Sequence, residues 1–300
     1  SIDGLWDELI IVIDDGPEEG MEEVCLRHGA TVLHRAMNHD FASQRNHGFD
    51  VATGDWILWL DSDDLVPPAT VERIRELVAE DDPSSDGYYL DYHYAHDGDG
   101  NVTTCLRRER LLKRSSGWRW RYEIHEVCEC ENPEANIRFV TGFPIVHKRE
   151  LVPQEFRDPS RNLRFLDKVL DKYMDDPRML FYVAKENQSA NLKSEAMRYF
   201  KMVVELLSKR DEYDEHLLMS CLEISSMYNE AGELKHARRW AYKAIDYDAR
   251  WAESYCLLGN IAEKMGDPNQ AIDMFEAARN LPIPDEIVLP TNPMMYDEFP

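Results

Sequence analysis

Short unbroken apolar runs alternate with helical-period stretches along the first half of the chain. Leu9-Ile10-Ile11-Val12-Ile13 stops at Asp14-Asp15-Gly16-Pro17, the pattern of a buried strand that empties into a polar loop. Met21, Val24, Cys25 and His28 then recur at helical spacing, and Gly29 stands where a helix end favours a left-handed residue. Thr31-Val32-Leu33-His34 resumes as a strand, so the segment predicts a β-α-β unit and a parallel sheet. A second helix is predicted over 40–52, opened by a cap at Asn38 and closed by Gly54. Trp56-Ile57-Leu58-Trp59-Leu60 is the next buried strand; it runs straight into Asp61-Ser62-Asp63-Asp64, and Pro67-Pro68 then opens a helix near Ala69. Further on, Asp97-Gly98-Asp99-Gly100-Asn101 separates two strand-like runs, 88–94 and 102–107, as a hairpin turn would.

From about residue 160 the pattern is helical throughout, in blocks separated by short polar turns. Gly232, Ala237 and Ala244 recur 34 residues later as Gly266, Ala271 and Ala278, which is the tetratricopeptide period. A looser copy is expected around 196–207, with Tyr199 and Phe200 at packing positions. Small residues at fixed offsets let paired helices approach closely, so this half is expected to be a short stack of helical hairpins. The tail over 281–300 carries five prolines and no periodicity, and is expected to run as an extended strap over a surface.

Charge and composition narrow the function. The 300 residues carry 34 basic against 58 acidic side chains, a net charge of −24, which disfavours a general nucleic-acid binder. No run approaches the roughly 20 apolar residues of a membrane span, so no membrane association is expected. Six cysteines scattered through a chain of this size, with no secretory signal at its start, point to a reducing, cytoplasmic setting. Cys128-x-Cys130 lacks a second pair at zinc spacing and reads as alternating strand residues.

Ligand sites of open α/β sheets lie beyond the carboxyl ends of strands, so the acidic clusters at Asp14-Asp15 and 61–64 converge on one edge. Asp61-x-Asp63 offers two carboxylates to one side of a loop, a partial cage for a hard divalent cation that leaves positions for phosphate oxygens. The segment Asp40-Phe41-Ala42-Ser43-Gln44-Arg45-Asn46, followed by Ala52-Thr53-Gly54-Asp55 and the strand ending in Asp61-Ser62-Asp63-Asp64, resembles the nucleotide-sugar-binding core of family 2 glycosyltransferases of the GT-A fold. It is most similar to the subgroup whose GT-A domain is followed by tetratricopeptide-like helices. Ile124-His125-Glu126 and Ile145-Val146-His147-Lys148, leading to Arg161-Asn162, extend the resemblance over about 5–190.

The resemblance implies an α/β GT-A domain at 1–155 lacking its first strand, helical repeats at 156–282 and an extended tail at 283–300. It implies inverting transfer of a sugar from a UDP-sugar, UDP-glucose or UDP-N-acetylglucosamine, to an acceptor hydroxyl with Mn²⁺ or Mg²⁺. Asp14 and Asp15 fall at the uracil and ribose, Arg45 and Asn46 on the helix edging the donor pocket, Asp61 at the ribose or a bound water, and Arg161 beside the donor. Asp63, with or without Asp64, and His147 would hold the metal. A base near the acceptor is needed, and Glu126 is the choice, with Asp91 and Glu123 as alternatives and pairing to Arg119 or Arg121 as its structural role. Trp118, Trp120, Asp91 and His125 would line the acceptor side, although core packing explains the tryptophans equally well. The basic run over 107–121 either binds the diphosphate or an anionic acceptor or neutralises neighbouring acids. The lead-in strand would lie before Ser1, leaving only 2–7 of that region, and Gly16-Pro17-Glu18-Glu19 replaces the Ser/Thr-rich loop common in the family. The acceptor stays open among a glycan, a peptide or protein, and a modified DNA base of the viral type. The repeats could hold it or form a homodimer. The competing classes are a non-catalytic interaction protein on a degenerate GT-A fold and a nucleotidyl or phosphoryl transferase, the latter lacking a Gly-rich phosphate loop.

Overall fold

A computed structural model describes residues 2, 4–14, 20–148, 161–284 and 286–296. The chain divides into two compact units, residues 1–93 with 107–154 and residues 94–106 with 155–300. The tip of one hairpin therefore groups with the helices.

In the first unit β1 (Ile10–Ile13), α1 (Met21–Arg27) and β2 (Thr31–His34) form the expected β-α-β turn, β1 running parallel to β2 with Ile10 opposite Thr31. Gly29 follows α1 at φ +76°, a left-handed conformation that costs glycine little. The second helix, α2 (Phe41–Val51), is capped by Asp40 and not by Asn38. Asp40 is extended (φ −133°, ψ 92°) and accepts from the Ser43 amide at 2.8 Å, whereas Asn38 lies two residues before this cap, at φ +47°.

The next elements are β3 (Trp56–Leu58), β4 (Asp64–Leu65), α3 (Pro68–Glu80), β5 (Gly87–His96), β6 (Val102–Lys113), β7 (Trp118–Arg121), β8 (Val127–Cys130) and β9 (Ile137–His147). Five of them make a mixed sheet in the order β3-β6-β5-β9-β4, in which β3 and β6 pair antiparallel, as do β4 and β9, while β5 and β9 pair parallel. The all-parallel sheet suggested by the first β-α-β unit gives way because the 97–101 turn joins β5 directly to β6. The β7–β8 ribbon packs its inner face, Trp118, Trp120 and Cys128, against Trp59, Leu112 and Ala42. All six cysteines are free thiols.

The second unit contains α4 (Arg161–Val169), α5 (Pro177–Ser189), α6 (Lys193–Leu207), α7 (Glu215–Glu230), α8 (Leu234–Tyr247), α9 (Ala252–Lys264) and α10 (Pro268–Arg279), with α5–α6, α7–α8 and α9–α10 as hairpins. The 34-residue repeat has a structural meaning at each position. Gly232 and Gly266 follow α7 and α9 at φ +75° and +80°, and Ala237, Ala244, Ala271 and Ala278 are buried on the helices that return. A Cβ on Gly259 of α9 would lie 2.7 Å from the Phe275 ring of α10, so the two helices meet closely there. Among the described residues of the tail, Ile287, Leu289, Thr291 and Pro293 are buried, Pro293–Met295 form a 3-10 turn, and Tyr296 packs on Ala252 and Ala278.

Asp248, between α8 and α9, accepts from the Tyr213 hydroxyl (2.7 Å) and from the Arg250 amide, Nε and Nη2 (3.0, 2.9 and 2.8 Å). Burial pushes its pKa up, but Arg250 and Tyr213 outweigh burial and hold it below the usual carboxylate range. Because the folded value lies below the unfolded one, this stabilisation is present above about pH 4 and is lost as pH falls through the folded pKa. Asp248→Asn should cost roughly 1–3 kcal/mol at neutral pH, and the deficit should shrink in acid, as read from urea midpoints across pH. Ala244→Leu should cost about 1–3 kcal/mol by overpacking the α7–α8 and α8–α9 contacts, measured in the same way.

Candidate active site

Beyond β3 the chain turns over a buried cation. The Trp59 amide donates to the Arg110 carbonyl (3.3 Å), continuing the β3–β6 pairing, and the Trp59 indole N–H donates to the Glu109 carbonyl. Arg110 is fully buried, its guanidinium lying 3.8 Å from the Trp59 ring centroid and 4.4 Å from that of Tyr92. Its Nη1 donates to Asp64 Oδ2 (2.9 Å), both side chains being wholly inaccessible, and also to the Trp59 carbonyl (3.3 Å). Asp64 Oδ2 further accepts from the Asp61 amide (2.9 Å), and Oδ1 accepts from the Tyr92 hydroxyl (2.7 Å). Burial lowers the Arg110 pKa against the pull of Asp64 and Asp61, and burial with Asp64 raises that of Tyr92.

Asp63 is placed by β4. Asp64 lies opposite His147 across the β4–β9 pair, and the Lys148 amide donates to the Asp63 carbonyl (2.7 Å), so Asp63 and His147 come together through backbone register. Asp63 Oδ2 lies 3.6 Å from His147 Nδ1, with side chains 19% and 13% exposed. Burial raises the Asp63 pKa, with Asp61 and Asp64 adding to it, while His147 opposes the shift. Ligand atoms of Asp63, Asp64 and His147 fall within 4.8 Å of one another. Both Asp64 oxygens are already engaged by Arg110, Tyr92 and the Asp61 amide, however, so Asp64 is an internal anchor. Asp63 and His147 remain as oxygen and nitrogen donors, a set that fits a divalent cation with further positions open to a ligand.

Arg45, on α2, closes the site from the other side. Its Nη2 meets Asp61 Oδ1 at 2.6 Å, its Nε meets Glu126 Oε1 at 2.8 Å, and its guanidinium lies 4.7 Å from both the Trp59 and the Trp120 rings. Burial pulls the Asp61 pKa up, but Arg45 and Arg110 prevail and hold it below the usual range. Glu126 is thus paired with Arg45. The partners suggested from sequence pair elsewhere, Arg119 with Asp50 (3.1 Å) and Arg121 with Glu129 (3.5 Å). Asn46 reads the Trp120 backbone in both directions, donating to its carbonyl (3.0 Å) and accepting from its amide (2.9 Å), so it fastens α2 to β7. The Phe41 amide donates to the Glu123 carbonyl (2.8 Å), and Tyr122 and His125 adopt φ +68° and +52°, which kinks the loop that presents Glu126.

The other sequence candidates have surroundings of their own. Trp118 and Trp120 are each 3% exposed and belong to the core, so neither offers a ring face to a sugar. Asp91 is buried on β5, accepting from Arg107 Nε (3.2 Å) and the Gly142 amide (2.7 Å), which leaves it structural and not a base beside an acceptor. Asp14 is exposed and accepts from the Met37 amide (2.8 Å). Asp15 lies outside the described residues, and Arg161 is exposed at the start of α4 in the other unit.

Residues 7–130 match the model of Glycosyl transferase family 2, and residues 252–279 match a tetratricopeptide repeat. The first unit carries a family 2 glycosyltransferase domain. A TPR repeat-containing protein of Synechococcus elongatus is 25% identical over 94% of this chain and 62% of its own length. YibD, an uncharacterized glycosyltransferase of Escherichia coli, is 24% identical over 68% of this chain and 63% of its own. The chain thus spans just under two thirds of the length of these curated relatives. MamA from Desulfovibrio magneticus covers 40% of this chain and 63% of its own at 17% identity and a TM-score of 0.35.

Within the glycosyltransferase domain the residues that sequence reasoning missed are Arg110, Tyr92 and Trp59. A signal existed: Arg110 immediately precedes Leu111-Leu112 in a strand, and an arginine embedded in an apolar run needs a buried partner. The basic stretch instead reads as a cluster, yet its members are separately committed, Arg107 to Asp91, Arg110 to Asp64 and Lys113 to Asp81. Arg45→Met removes the cation shared by Asp61 and Glu126 and should cost about 3–5 kcal/mol in urea unfolding. Arg45→Lys should recover less than half of that, since a single ammonium cannot reproduce the two-sided fork.

Proposed function

We propose that the glycosyltransferase domain transfers a sugar from a UDP-sugar to an acceptor hydroxyl with inversion, in a site holding Mn²⁺ or Mg²⁺. The observation that carries this reading is the β4–β9 register, which sets Asp63 beside His147 at the end of the segment that follows β3. Asp63 and His147 would hold the cation, which when bound supplies Lewis-acid stabilisation of the departing diphosphate. Asp61, oriented by Arg45, faces the donor ribose. Glu126, with Oε1 held by Arg45, takes the proton of the acceptor hydroxyl on Oε2 as the acceptor oxygen bonds to the anomeric carbon and the bond from that carbon to the phosphate oxygen breaks. The aromatic wall of Trp59 and Trp120 excludes water from the Arg45 side of this carboxylate.

Calorimetric titration of UDP with and without Mn²⁺ tests the donor site. Mn²⁺-dependent binding is expected, weakened in Asp63→Ala and in His147→Ala by at least the roughly 10–100-fold that loss of an outer-shell partner costs a metal site. Equal UDP binding in all three proteins would remove the metal role. Glu126→Gln should bind UDP as the unaltered chain does and lose about 10²–10⁴-fold in the rate of UDP release from a UDP-sugar in the presence of an acceptor; an unchanged rate would place the base elsewhere.

A further inference from the structure

Glu109 is a buried carboxylate that the proposed reaction leaves unused. It stands on β6 between Arg108 and Arg110 and is 3% exposed. Its Oε1 accepts from the Cys128 amide (3.1 Å) and lies 3.5 Å from Arg108 Nη2, while its backbone carbonyl accepts from the Trp59 indole N–H. Withdrawing a carboxylate from water is costly unless hydrogen-bonding and charged partners replace the water. A strand that needed only packing at this position would carry an apolar residue, as it does at the buried Leu111 and Leu112. What the carboxylate secures is the Cys128 amide.

That bond falls where the ribbon needs it. Among the described residues, β7 and β8 pair with each other and not with the five-stranded sheet that contains β6. Strand β8 begins at Val127, directly after Glu126. From one side α2 holds this segment, through Asn46 on Trp120, the Phe41 amide on the Glu123 carbonyl and Arg45 on Glu126. From the β6 side Glu109 holds it at Cys128. Glu126 thus lies between two fastened backbone points, Glu123 and Cys128, and next to the left-handed His125 at φ +52°. The same Glu109 fixes Trp59 through its carbonyl, so one residue sets both the indole wall and the end of the loop that faces it. We infer that Glu109 is a positioning residue for Glu126: by fastening Cys128 to β6 it sets the start of β8, and with it Glu126, at hydrogen-bond distance from Arg45. That this placement serves proton transfer rests on the glycosyl-transfer reading; the placement itself does not.

Two variants of the full chain separate the acceptor from its burial. Glu109→Gln keeps an oxygen for the Cys128 amide and Glu109→Leu removes it; Glu109→Ala stands in should the leucine variant lose its native circular dichroism. The first readout needs no substrate: exchange of the Arg45 Nε proton, which Glu126 holds, followed by NMR. It should be at least about tenfold faster in Glu109→Leu than in the unaltered chain and within about threefold of it in Glu109→Gln, while the α2 amides keep their rates. The second readout is UDP release from a UDP-sugar in the presence of an acceptor. Its rate should fall about 10²-fold in Glu109→Leu, as a small misplacement of a catalytic group does, with calorimetric UDP affinity unchanged, and Glu109→Gln should restore most of it. An Arg45 Nε proton that exchanges equally in all three proteins would overturn the proposal, as would a parallel loss of UDP affinity and rate in Glu109→Leu. A fully active Glu126→Gln would remove the base reading instead, and the Arg45 proton would then decide the role of Glu109 alone.

Discussion

Withdrawing a guanidinium from water costs several kcal/mol, and the chain accepts that cost at Arg110 because the cation fixes everything around it. Trp59 and Tyr92 both lie against it, each cation–π contact contributing up to about 2 kcal/mol once desolvated. Asp64 neutralises it and, in doing so, turns inward and takes the Asp61 amide and the Tyr92 hydroxyl. The acidic turn is thereby locked from beneath. Its backbone is then placed to pair with β9, which delivers His147 to Asp63.

Arg45 repeats the device against the same indole. One cation holds Asp61, on the turn after β3, and Glu126, on the kinked loop before β8, while lying 4.7 Å from the Trp59 and Trp120 ring centroids. Trp59 is thus the shared wall of two ion-pair systems, one fully buried and one reaching the surface. An overall charge of −24 gives no hint of this arrangement. The arginines that matter are spent locally, each against a named carboxylate, and the long-range field stays negative.

The strands and helices were legible because they follow from periodicity and punctuation. The Leu9-to-Ile13 run, Gly29 after α1 and the 34-residue recurrence of Gly232 and Gly266 each carry a local physical signal, and all appear where that signal puts them. Asp40 displaced Asn38 as a cap because capping is decided by backbone dihedrals that spacing alone does not fix. The antiparallel pairing of β4 with β9 joins residues some 80 positions apart, which no local pattern encodes, and only the resemblance brought Asp63 and His147 into one site. Trp118 and Trp120 show the reverse problem: alternation said they share a face, and only the fold says that the face is the core.

The central claim is that Arg110 and Asp64 act as one unit on which the acidic turn depends. A double-mutant cycle of Arg110→Met and Asp64→Leu, read by urea unfolding, measures it directly. Each single change leaves a buried, uncompensated charge and is expected to cost about 3–5 kcal/mol, with the double variant costing far less than their sum, a coupling of at least about 2 kcal/mol. Additive costs would contradict the account, because the two side chains would then contribute independently of the pair they form.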